Sequence, residues 1–189
     1  MSRMTLTDFE ERYRADADPW GYTTSAYERA KYAATLVACG PGPFGHALEL
    51  GSSIGVFSAA LVPRCRHLTT IDGAPTAVEI ARQRLADEPR VHLLTGRIPG
   101  AIPNGPFDLV VASEILYYLM ADELAVTIER LCEQMQPAAR FISVHWRPDG
   151  PERPQTTDAV HATLRRERRL RSVERGGTRD YRLDVLERR

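Results

Sequence analysis

The sequence predicts an α/β domain in which helices cover both faces of a doubly wound, mostly parallel sheet. Short apolar runs, typical of buried strands, alternate along the chain with segments whose apolar residues recur at helical spacing. One of these runs passes directly into a turn of small residues and then into a helix. A strand, a turn and a helix N-terminus together form a site where backbone N–H groups face a ligand. The length of 189 residues suits a single domain with one sizeable core.

A helical cap is predicted to precede the sheet. Residues 1–40 form this cap, and residues 41–189 form the core domain. One helix is expected at residues 7–13, with Thr7 or Asp8 as its N-cap. A second helix of the cap ends at a Gly-Pro-Gly-Pro run just before the first strand.

Aromatic side chains are concentrated in the cap, which has no strand to pack them. Trp20, Tyr22 and Tyr27 lie in and beside a loop that is rich in Pro, Gly and hydroxyl residues. They either attach the cap to the sheet by burial or form a lid over a ligand site, and the sequence favours neither interpretation.

The first strand and the turn after it hold the strongest candidates for ligand binding. The apolar run of this strand contains Glu49 near its end, and helical spacing restarts at Val56. Gly51, Ser53 and Gly55 lie in the turn between them. A dinucleotide-binding turn has the pattern G-x-G-x-x-G, which would require glycine where Val56 stands. An ordinary glycine-rich turn of another α/β protein would have a similar composition.

The second predicted strand also ends in an acid. Residues 67–72 form this strand, and Asp72 is followed directly by Gly73. In nucleoside-binding α/β folds, a carboxylate at this position holds the hydroxyl groups of a ribose. Asp72 is therefore a candidate ribose ligand, with Gly73 beside it.

The remaining predicted elements continue the alternation of strands and helices. In order they are a helix at 75–86, strands at 90–95 and 107–114, a helix at 121–135, a turn at 136–140, a strand at 141–146, a helix at 157–168, and strands at 170–174 and 181–187. The last two strands are joined near a Gly-Gly pair, which predicts a hairpin that closes the sheet.

Polar side chains at the ends of the fourth and fifth strands are candidates for proton transfer. Glu114 and Tyr117 follow the fourth strand, and His145 lies near the end of the fifth. Because the carboxyl ends of neighbouring parallel strands face one crevice, we expect these side chains beside the small-residue turn. A carboxylate or an imidazole there can accept a proton. The alternatives are that Glu114 caps the following helix and that His145 packs against Trp146.

Composition disfavours several classes of function. Lys+Arg and Asp+Glu are balanced at 25 each, so a nucleic-acid-binding face is not expected. Almost all basic residues are arginine, and Lys31 is the only lysine. The three cysteines lie too far apart for a zinc pattern or a disulfide framework, and no cluster of metal ligands is evident. Because no signal peptide or membrane span is visible, we expect a cytoplasmic protein that binds neither a membrane nor a metal.

The small-residue turn resembles motif I of class I S-adenosylmethionine-dependent methyltransferases. Its frame is Glu49-x-Gly51-x-Ser53-x-Gly55, with Ser53 in place of the usual middle glycine. A longer stretch, which begins Asp18-Pro19-Trp20-Gly21-Tyr22 and runs to Tyr32, is similar to the N-terminal signature of the nodulation protein S family, and so are residues 115–119. Members of that family N-methylate the amino sugar of a chitooligosaccharide signal.

This resemblance implies a Rossmann-like sheet of seven strands, the last antiparallel, with S-adenosyl-L-methionine as the cofactor. Arg97 and Ile98 stand where the family usually has an acid that meets the adenine, and their backbone groups are expected to replace it. The other implied cofactor contacts are Glu49, Gly51, Ser53, Gly55, Asp72, Gly73 and Glu114, joined by Trp20, Tyr22 and Tyr27 if the cap is a lid. The implied reaction is N-methylation of an amino group on a sugar, an oligosaccharide or a secondary metabolite.

Three other functions stay open on the sequence. O-methylation of a small hydroxylated metabolite would use the same core. A methyltransferase-like binding protein without activity is the second, because Ser53 and Arg97 depart from the family pattern. A nicotinamide oxidoreductase is the third, and the glycine spacing disfavours it. The sequence assigns neither the acceptor nor the oligomeric state.

Overall fold

Seven strands form one mixed sheet in the computed structural model, which describes residues 3–148 and 150–189. The strands are β1 (Phe44–Leu50), β2 (Cys65–Asp72), β3 (Val91–Thr95), β4 (Phe107–Ser113), β5 (Met135–Trp146), β6 (Leu170–Gly177) and β7 (Tyr181–Arg188). Their order across the sheet is β3-β2-β1-β4-β5-β7-β6. β1 to β5 pair in parallel, and β7 pairs antiparallel with both β5 and β6. The predicted fold, including the closing hairpin, is confirmed.

The helices of the described residues follow the predicted alternation. They are α1 (Leu6–Ala15), α2 (Ala26–Cys39), α3 (Val56–Leu61), α4 (Pro75–Arg84), α5 (Ala121–Gln134) and α6 (Thr157–Arg166), with short 3₁₀ helices at Val62–Arg64 and Leu116–Tyr118. Within this part of the chain, no helix combines the length and the apolar character needed to cross a membrane.

Alternate residues of the central strands enter two separate cores. In β4, Val110 and Ala112 pack under α5 and α6, whereas Leu109 and Val111 pack under α2 and α3. Successive side chains of a strand point to opposite faces, so a strand covered on both faces is apolar throughout. This is why the central strands appear in the sequence as continuous apolar runs.

The direction of chain winding reverses between β1 and β4. From β1 the chain moves outward to β2 and β3, then returns to place β4 on the other side of β1. Crevices for ligands form at such a switch point, outside the carboxyl ends of the strands. The turns after β1, β2 and β4 therefore define the place to look for a site.

Two local features differ from the sequence prediction. The N-cap of α1 is Thr5, because its hydroxyl accepts the N–H of Asp8 while the Asp8 carboxylate accepts the N–H of Thr5. β5 begins at Met135, so the turn predicted at 136–140 is part of the strand. Ala138 has a φ of +63°, and the register with β4 shifts nearby, as expected for an extra residue accommodated by a bulge.

Candidate active site

Two adjoining cavities open at the switch point in the described part of the chain. The smaller, of about 300 Å³, lies among α1, α2 and the ends of β4 and β5. The larger, of about 370 Å³, lies between α1 and the turns after β2 and β3. Gly51, Asp72, Gly73 and Ile115 line both cavities. Together the two cavities have the size of a small-molecule site with room for an elongated ligand.

The turn after β1 approaches the cavities with its backbone in left-handed conformations. Gly51 has a φ of +72° and Gly55 a φ of +76°. A Cβ on Gly51 would lie 3.0 Å from the Cβ of Ile115, so a larger residue would have to displace the loop after β4. Glycine is therefore required at Gly51 both by conformation and by space.

Ser53 also has a positive φ, of +50°, although it is not a glycine. Its N–H donates to Oδ2 of Asp72 at 2.8 Å, and its hydroxyl bonds the hydroxyl of Tyr13 in α1. Ser53, which stands where motif I usually has its middle glycine, thus connects the turn after β1 with α1 of the cap and with the end of β2.

Asp72 lines both cavities and organises the backbone around it. Its carboxylate accepts the N–H of Ser53 and, at 2.9 Å, the N–H of Ala74. Burial raises its pKa, and these backbone hydrogen bonds oppose the rise. A carboxylate has about four lone-pair positions, so two backbone bonds leave capacity for ligand hydroxyls.

Glu49 is buried at the floor of the smaller cavity. The hydroxyl of Ser58 in α3 donates to its Oε2 at 2.6 Å. Burial raises its pKa to about 8, partly offset by the Ser58 hydrogen bond and reinforced by the charge of Asp72. A positively charged ligand group in the cavity would favour the ionised form of Glu49.

The larger cavity is mainly apolar where it meets the turn after β3. Arg97 and Ile98 both line it, and their predicted contact with an adenine stays a prediction. The guanidinium of Arg97 is paired with the carboxylate of Glu123 in α5. Gly73 faces Leu6 of α1 so closely that a Cβ would overlap it. Other apolar side chains of this wall are those of Met4, Phe9, Ile71, Ile115 and Leu119.

A continuous row of aromatic rings covers the smaller cavity on the side of the cap. Consecutive ring centroids are 4.9 to 6.5 Å apart. In order, the row contains Tyr118, Phe9, Trp20, Tyr22, Tyr32 and Phe57. Tyr27 also lines the cavity, but its ring packs against Tyr181 of β7. The structure thus brings Trp20, Tyr22 and Tyr27 to the site, and the movement of a lid stays a prediction.

Glu114 lies directly after β4 with a φ of +57°. Its Oε1 accepts a hydrogen bond from Nζ of Lys31 at 2.7 Å. Its Oε2 accepts the N–H of Trp146 at 3.0 Å and the hydroxyl of Tyr117. Its side chain is thus held by three donors at the cavity wall. The predicted alternative, a cap on the following helix, does not describe these contacts, because the 3₁₀ helix after Glu114 has no side-chain cap.

His145 has a different environment from Glu114. It is fully buried, and the described residues that line the two cavities do not include it. Its Nε2 accepts the N–H of Leu116 at 3.1 Å, and its Nδ1 lies 3.1 Å from Nε2 of His161. Burial and the neighbouring His161 hold its pKa well below the ordinary value. This placement favours a structural role over the predicted proton transfer.

No group of three or more His, Cys, Asp or Glu side chains in the described ranges is arranged to hold a metal ion. The carboxylates of the site are instead bonded to backbone N–H groups, hydroxyls and the ammonium of Lys31.

The family profile of nodulation protein S (NodS) matches residues 3–173. The chain belongs to the nodulation protein S family. This confirms the family predicted from the turn and from the N-terminal signature.

Curated relatives and solved structures agree with this assignment. Nodulation protein S of Bradyrhizobium diazoefficiens is 36% identical over 134 residues, which cover 70% of this chain and 64% of that protein. Nodulation protein S of Sinorhizobium fredii is 31% identical over 134 residues, which cover 69% and 62%. The matched part of the chain thus spans less than two thirds of the length of these curated relatives.

Among solved structures, the N-methyltransferase NodS from Bradyrhizobium japonicum WM9, in complex with S-adenosyl-L-homocysteine, superposes with a TM-score of 0.87. It is 25% identical, and the match covers 98% of this chain and 99% of that one. A putative methyltransferase from Pseudomonas syringae is 35% identical, with a TM-score of 0.77 and coverage of 87% and 100%.

Sequence reasoning missed several residues that build the site of this nodulation protein S family member. Lys31 carries the charge that pairs with Glu114, and Glu28 lies on its other side. Arg153 lies over the rings of Tyr117 and Trp146, at 4.7 and 5.0 Å from their centroids. A signal for Lys31 was present, because the only lysine of the chain falls on a helix face with Tyr27 and Ala34. Nothing local in the sequence indicates that Arg153 stacks on these rings.

Proposed function

We propose that this chain is an S-adenosyl-L-methionine-dependent methyltransferase that N-methylates an amino group of a sugar, an oligosaccharide or a related metabolite. One observation carries the proposal. In a chain of the nodulation protein S family, the turn after β1, Asp72 and Glu114 meet around two adjoining cavities at the switch point. The related NodS structure contains S-adenosyl-L-homocysteine, the product left when that cofactor has lost its methyl group.

The charges around the smaller cavity fit a cationic cofactor. Its lining contains five acidic side chains, Glu28, Glu49, Asp72, Glu114 and Glu152, against two basic ones, Lys31 and Arg153. An excess of carboxylates attracts a sulfonium or an ammonium group and repels the diphosphate of a dinucleotide. When bound, S-adenosyl-L-methionine supplies an electrophilic methyl group on a sulfonium sulfur.

The larger cavity fits the other end of the same cofactor. Its wall of aliphatic side chains, including Ile98 and Ile115, suits a flat heterocycle. Asp72 stands where the two cavities meet, so it is placed to bind a ribose between a base and an amino-acid end. Residues 3–40 provide the cover, and the aromatic row excludes water from the smaller cavity.

Glu114 is the residue we assign to proton acceptance. An amino group attacks only as the neutral amine, so an acceptor that enters as an ammonium ion must first lose a proton. The Glu114 carboxylate lines the smaller cavity and is bonded there to the backbone N–H of Trp146 and the hydroxyl of Tyr117. Tyr117 holds the carboxylate in place through its hydroxyl. Positioning and the exclusion of water supply the remaining part of the rate.

The mouth of the smaller cavity suits a saccharide acceptor. Trp146 is 40% exposed there, and the Arg153 guanidinium lies over its ring. Tyr118 and Glu152 also border this region. An exposed ring offers an apolar face to a sugar ring, while nearby charges and hydroxyls can bond its polar groups.

Calorimetric titration with S-adenosyl-L-homocysteine and, separately, with NAD tests the cofactor. NAD is included because Tyr27 and Lys31 have the Tyr-x-x-x-Lys spacing found in nicotinamide oxidoreductases. We expect binding of the first ligand only. In a Trp146→Phe background, the fluorescence of Trp20 should change during the same titration if the cap closes as a lid.

Asp72→Ala should weaken S-adenosyl-L-homocysteine binding by about tenfold or more. Each charge-assisted hydrogen bond from a ribose hydroxyl is worth ~1.5–3 kcal/mol. The matched control is Asp87→Ala, which removes an exposed carboxylate in the turn after α4. Equal affinity of Asp72→Ala and Asp87→Ala for S-adenosyl-L-homocysteine would show that Asp72 does not bind the cofactor.

Mass spectrometry of acceptors incubated with S-adenosyl-L-methionine tests the transfer itself. A deacetylated chitooligosaccharide should gain one methyl group on nitrogen. Methylation confined to hydroxyl groups of small metabolites would identify an O-methyltransferase. Cofactor binding without transfer to any acceptor would identify a binding protein.

A further inference from the structure

Lys31 lies buried between two carboxylates in the wall of the smaller cavity. It is 1% exposed, and its Nζ lies 2.7 Å from Oε1 of Glu114 and 3.0 Å from Oε1 of Glu28. The ring of Tyr27 covers it, with Nζ 5.2 Å from the centroid. Lys31 is the only lysine of the chain, whose other Lys and Arg positions are all arginine.

The two carboxylates are close enough to affect each other. Each lies within 3.0 Å of the same nitrogen, so they are within ~6 Å of one another, the range in which a charge shifts the pKa of its neighbour. Burial raises the pKa of Glu28, the charge of Lys31 lowers it, and the charge of Glu114 raises it further. The cluster therefore contains two negative groups and one positive group.

The other groups around Glu114 do not replace the charge of Lys31. Trp146 donates a neutral backbone N–H, and Tyr117 donates a neutral hydroxyl. Arg153 lies over the ring of Tyr117 instead of pairing with Glu114, and His145 is buried behind that ring. The further titratable groups that face the cluster are Asp18, whose charge also raises the pKa of Glu28, and the tyrosines Tyr22, Tyr27, Tyr32 and Tyr118.

We propose that Lys31 is a positioning residue whose charge keeps Glu114 ionised, so that Glu114 can accept the proton of the acceptor ammonium. This inference rests on the function proposed above. Without Lys31, the carboxylates of Glu28 and Glu114 would share one proton, because like charges in one site cannot both ionise easily. Part of the time that shared proton would lie on Glu114, which could then not accept a proton from the acceptor. Glu28 affects the reaction only in this indirect way.

The test compares the pH dependence of kcat for the wild type, Lys31→Met, and Lys31→Met combined with Glu28→Gln. Deacetylated chitotetraose is the acceptor. Lys31→Met should move the acidic limb of the profile upward by about 1–3 pH units, the scale set by one adjacent opposite charge. Glu28→Gln in the same chain should reverse much of the shift, because it removes the competing carboxylate. The titration of the acceptor amine is common to all variants.

Arg29→Met is the matched control. It removes one positive charge from the exposed face of the same helix, and among the described contacts the guanidinium of Arg29 bonds only the carbonyl oxygen of Thr24. Its profile should coincide with that of the wild type. If Lys31→Met is too unstable to purify, Lys31→Gln keeps two N–H donors without the charge and should show the same shift.

Infrared difference spectroscopy gives a second measurement that needs no acceptor. Because the pKa of Glu49 is about 8, the wild type already contains one protonated carboxylic acid at neutral pH. Lys31→Met should show a second carboxylic-acid carbonyl band in addition to that of Glu49, and this added band should change when Glu114→Gln is introduced. An unshifted profile in Lys31→Met, or a shift that Glu28→Gln does not reverse, would overturn the proposal and leave Lys31 a purely structural residue. A failure of the proposed function would appear separately, as a wild type that binds no S-adenosyl-L-homocysteine or that transfers no methyl group to any acceptor.

Discussion

Two clusters of charged and titratable side chains, one largely and one fully buried, flank the end of β5, and only one of them reaches a cavity. The first contains Glu28, Lys31 and Glu114 and forms part of the wall of the smaller cavity. The second runs from His145 through His161 to Asp184, with all three side chains fully buried. Burial of ionisable groups is therefore not by itself a sign of a functional site. Contact with a cavity is the observation that separates the two clusters.

The clusters also differ in how their charges are balanced. Asp184 is 2.6 Å from the guanidinium of Arg165 and 3.1 Å from Nδ1 of His161. Burial alone raises the pKa of Asp184, but His161 and Arg165 outweigh it and hold the pKa below its ordinary value. The pKa of Glu28 is shifted the other way, above its ordinary value, because burial outweighs the effect of the single Lys31 ammonium. The interior cluster is thus compensated, whereas the cavity cluster is left with excess negative charge that a cationic ligand can balance.

Asp184→Ala should produce the largest effect, and it should be an effect on stability. Removing one partner of a buried ion pair leaves the remaining charge without compensation, which typically costs about 3–5 kcal/mol. Urea unfolding should therefore show a loss of this size in the free energy of unfolding. The affinity for S-adenosyl-L-homocysteine in the folded protein should not change. If Asp184→Ala instead weakened the binding of S-adenosyl-L-homocysteine and kept its stability, the interior cluster would belong to the functional site.

Glu114→Gln should produce the next largest effect, and it should be an effect on catalysis. Loss of a general base typically lowers kcat by about 10²-fold or more, which corresponds to at least ~2.7 kcal/mol of transition-state stabilisation. Glutamine keeps an oxygen that can accept from Lys31 or Tyr117, so the wall of the cavity should persist. Steady-state kinetics measure kcat, and calorimetry measures cofactor affinity, which should be retained. A near-normal kcat would mean that positioning alone drives transfer and that the proton leaves to solvent.

The fold, and the meeting of the turn after β1 with Asp72 at one pair of cavities, could be predicted from the sequence because their signals are local. The strand, the small-residue turn and the helix that begins at Val56 are adjacent in the chain, and the structure has the same helix, Val56–Leu61. Asp72 was identified by its position at the end of a strand in the same way. Each of these residues has a position fixed by one βα unit, so one sequence was sufficient.

The part of the cavity wall that contains Glu114 was harder to predict because it depends on contacts between distant segments. Lys31 and Glu114 are 83 residues apart, and nothing within either segment indicates that they meet. His145 and Trp146 show a second limit. Neighbouring residues of a strand point to opposite faces, so Trp146 lines the cavity while His145 packs against His161 of α6. The sequence placed both at the end of β5 but could not decide which of them faces the site.

His145→Gln should have the smallest effect, and it tests the interior cluster through pH. Burial lowers the pKa of His145 well below the value of about 6.5 that it has in an unfolded chain. Between these two values the unfolded chain binds a proton that the native protein does not, so stability is fully present above pH ~6.5 and is lost as the pH falls. Glutamine can accept the N–H of Leu116 in place of Nε2, and it does not titrate.

Urea unfolding between pH 5 and pH 7 should therefore show a shallower loss of stability in His145→Gln, by up to ~1.4 kcal/mol per pH unit. His161, whose pKa is also lowered by burial, leaves a residual slope in both proteins. Glu49 and Asp72, whose pKa values are raised, change the pH dependence of stability in the opposite direction, but equally in the wild type and the variant. His92→Gln, at an exposed position of β3, is the control that should keep the wild-type slope. The opposite result would be an unchanged pH dependence of the free energy of unfolding in His145→Gln, together with a loss of about 100-fold in kcat. It would support a role of His145 in proton transfer, because a histidine that titrates with the reaction must be reachable from the cavity.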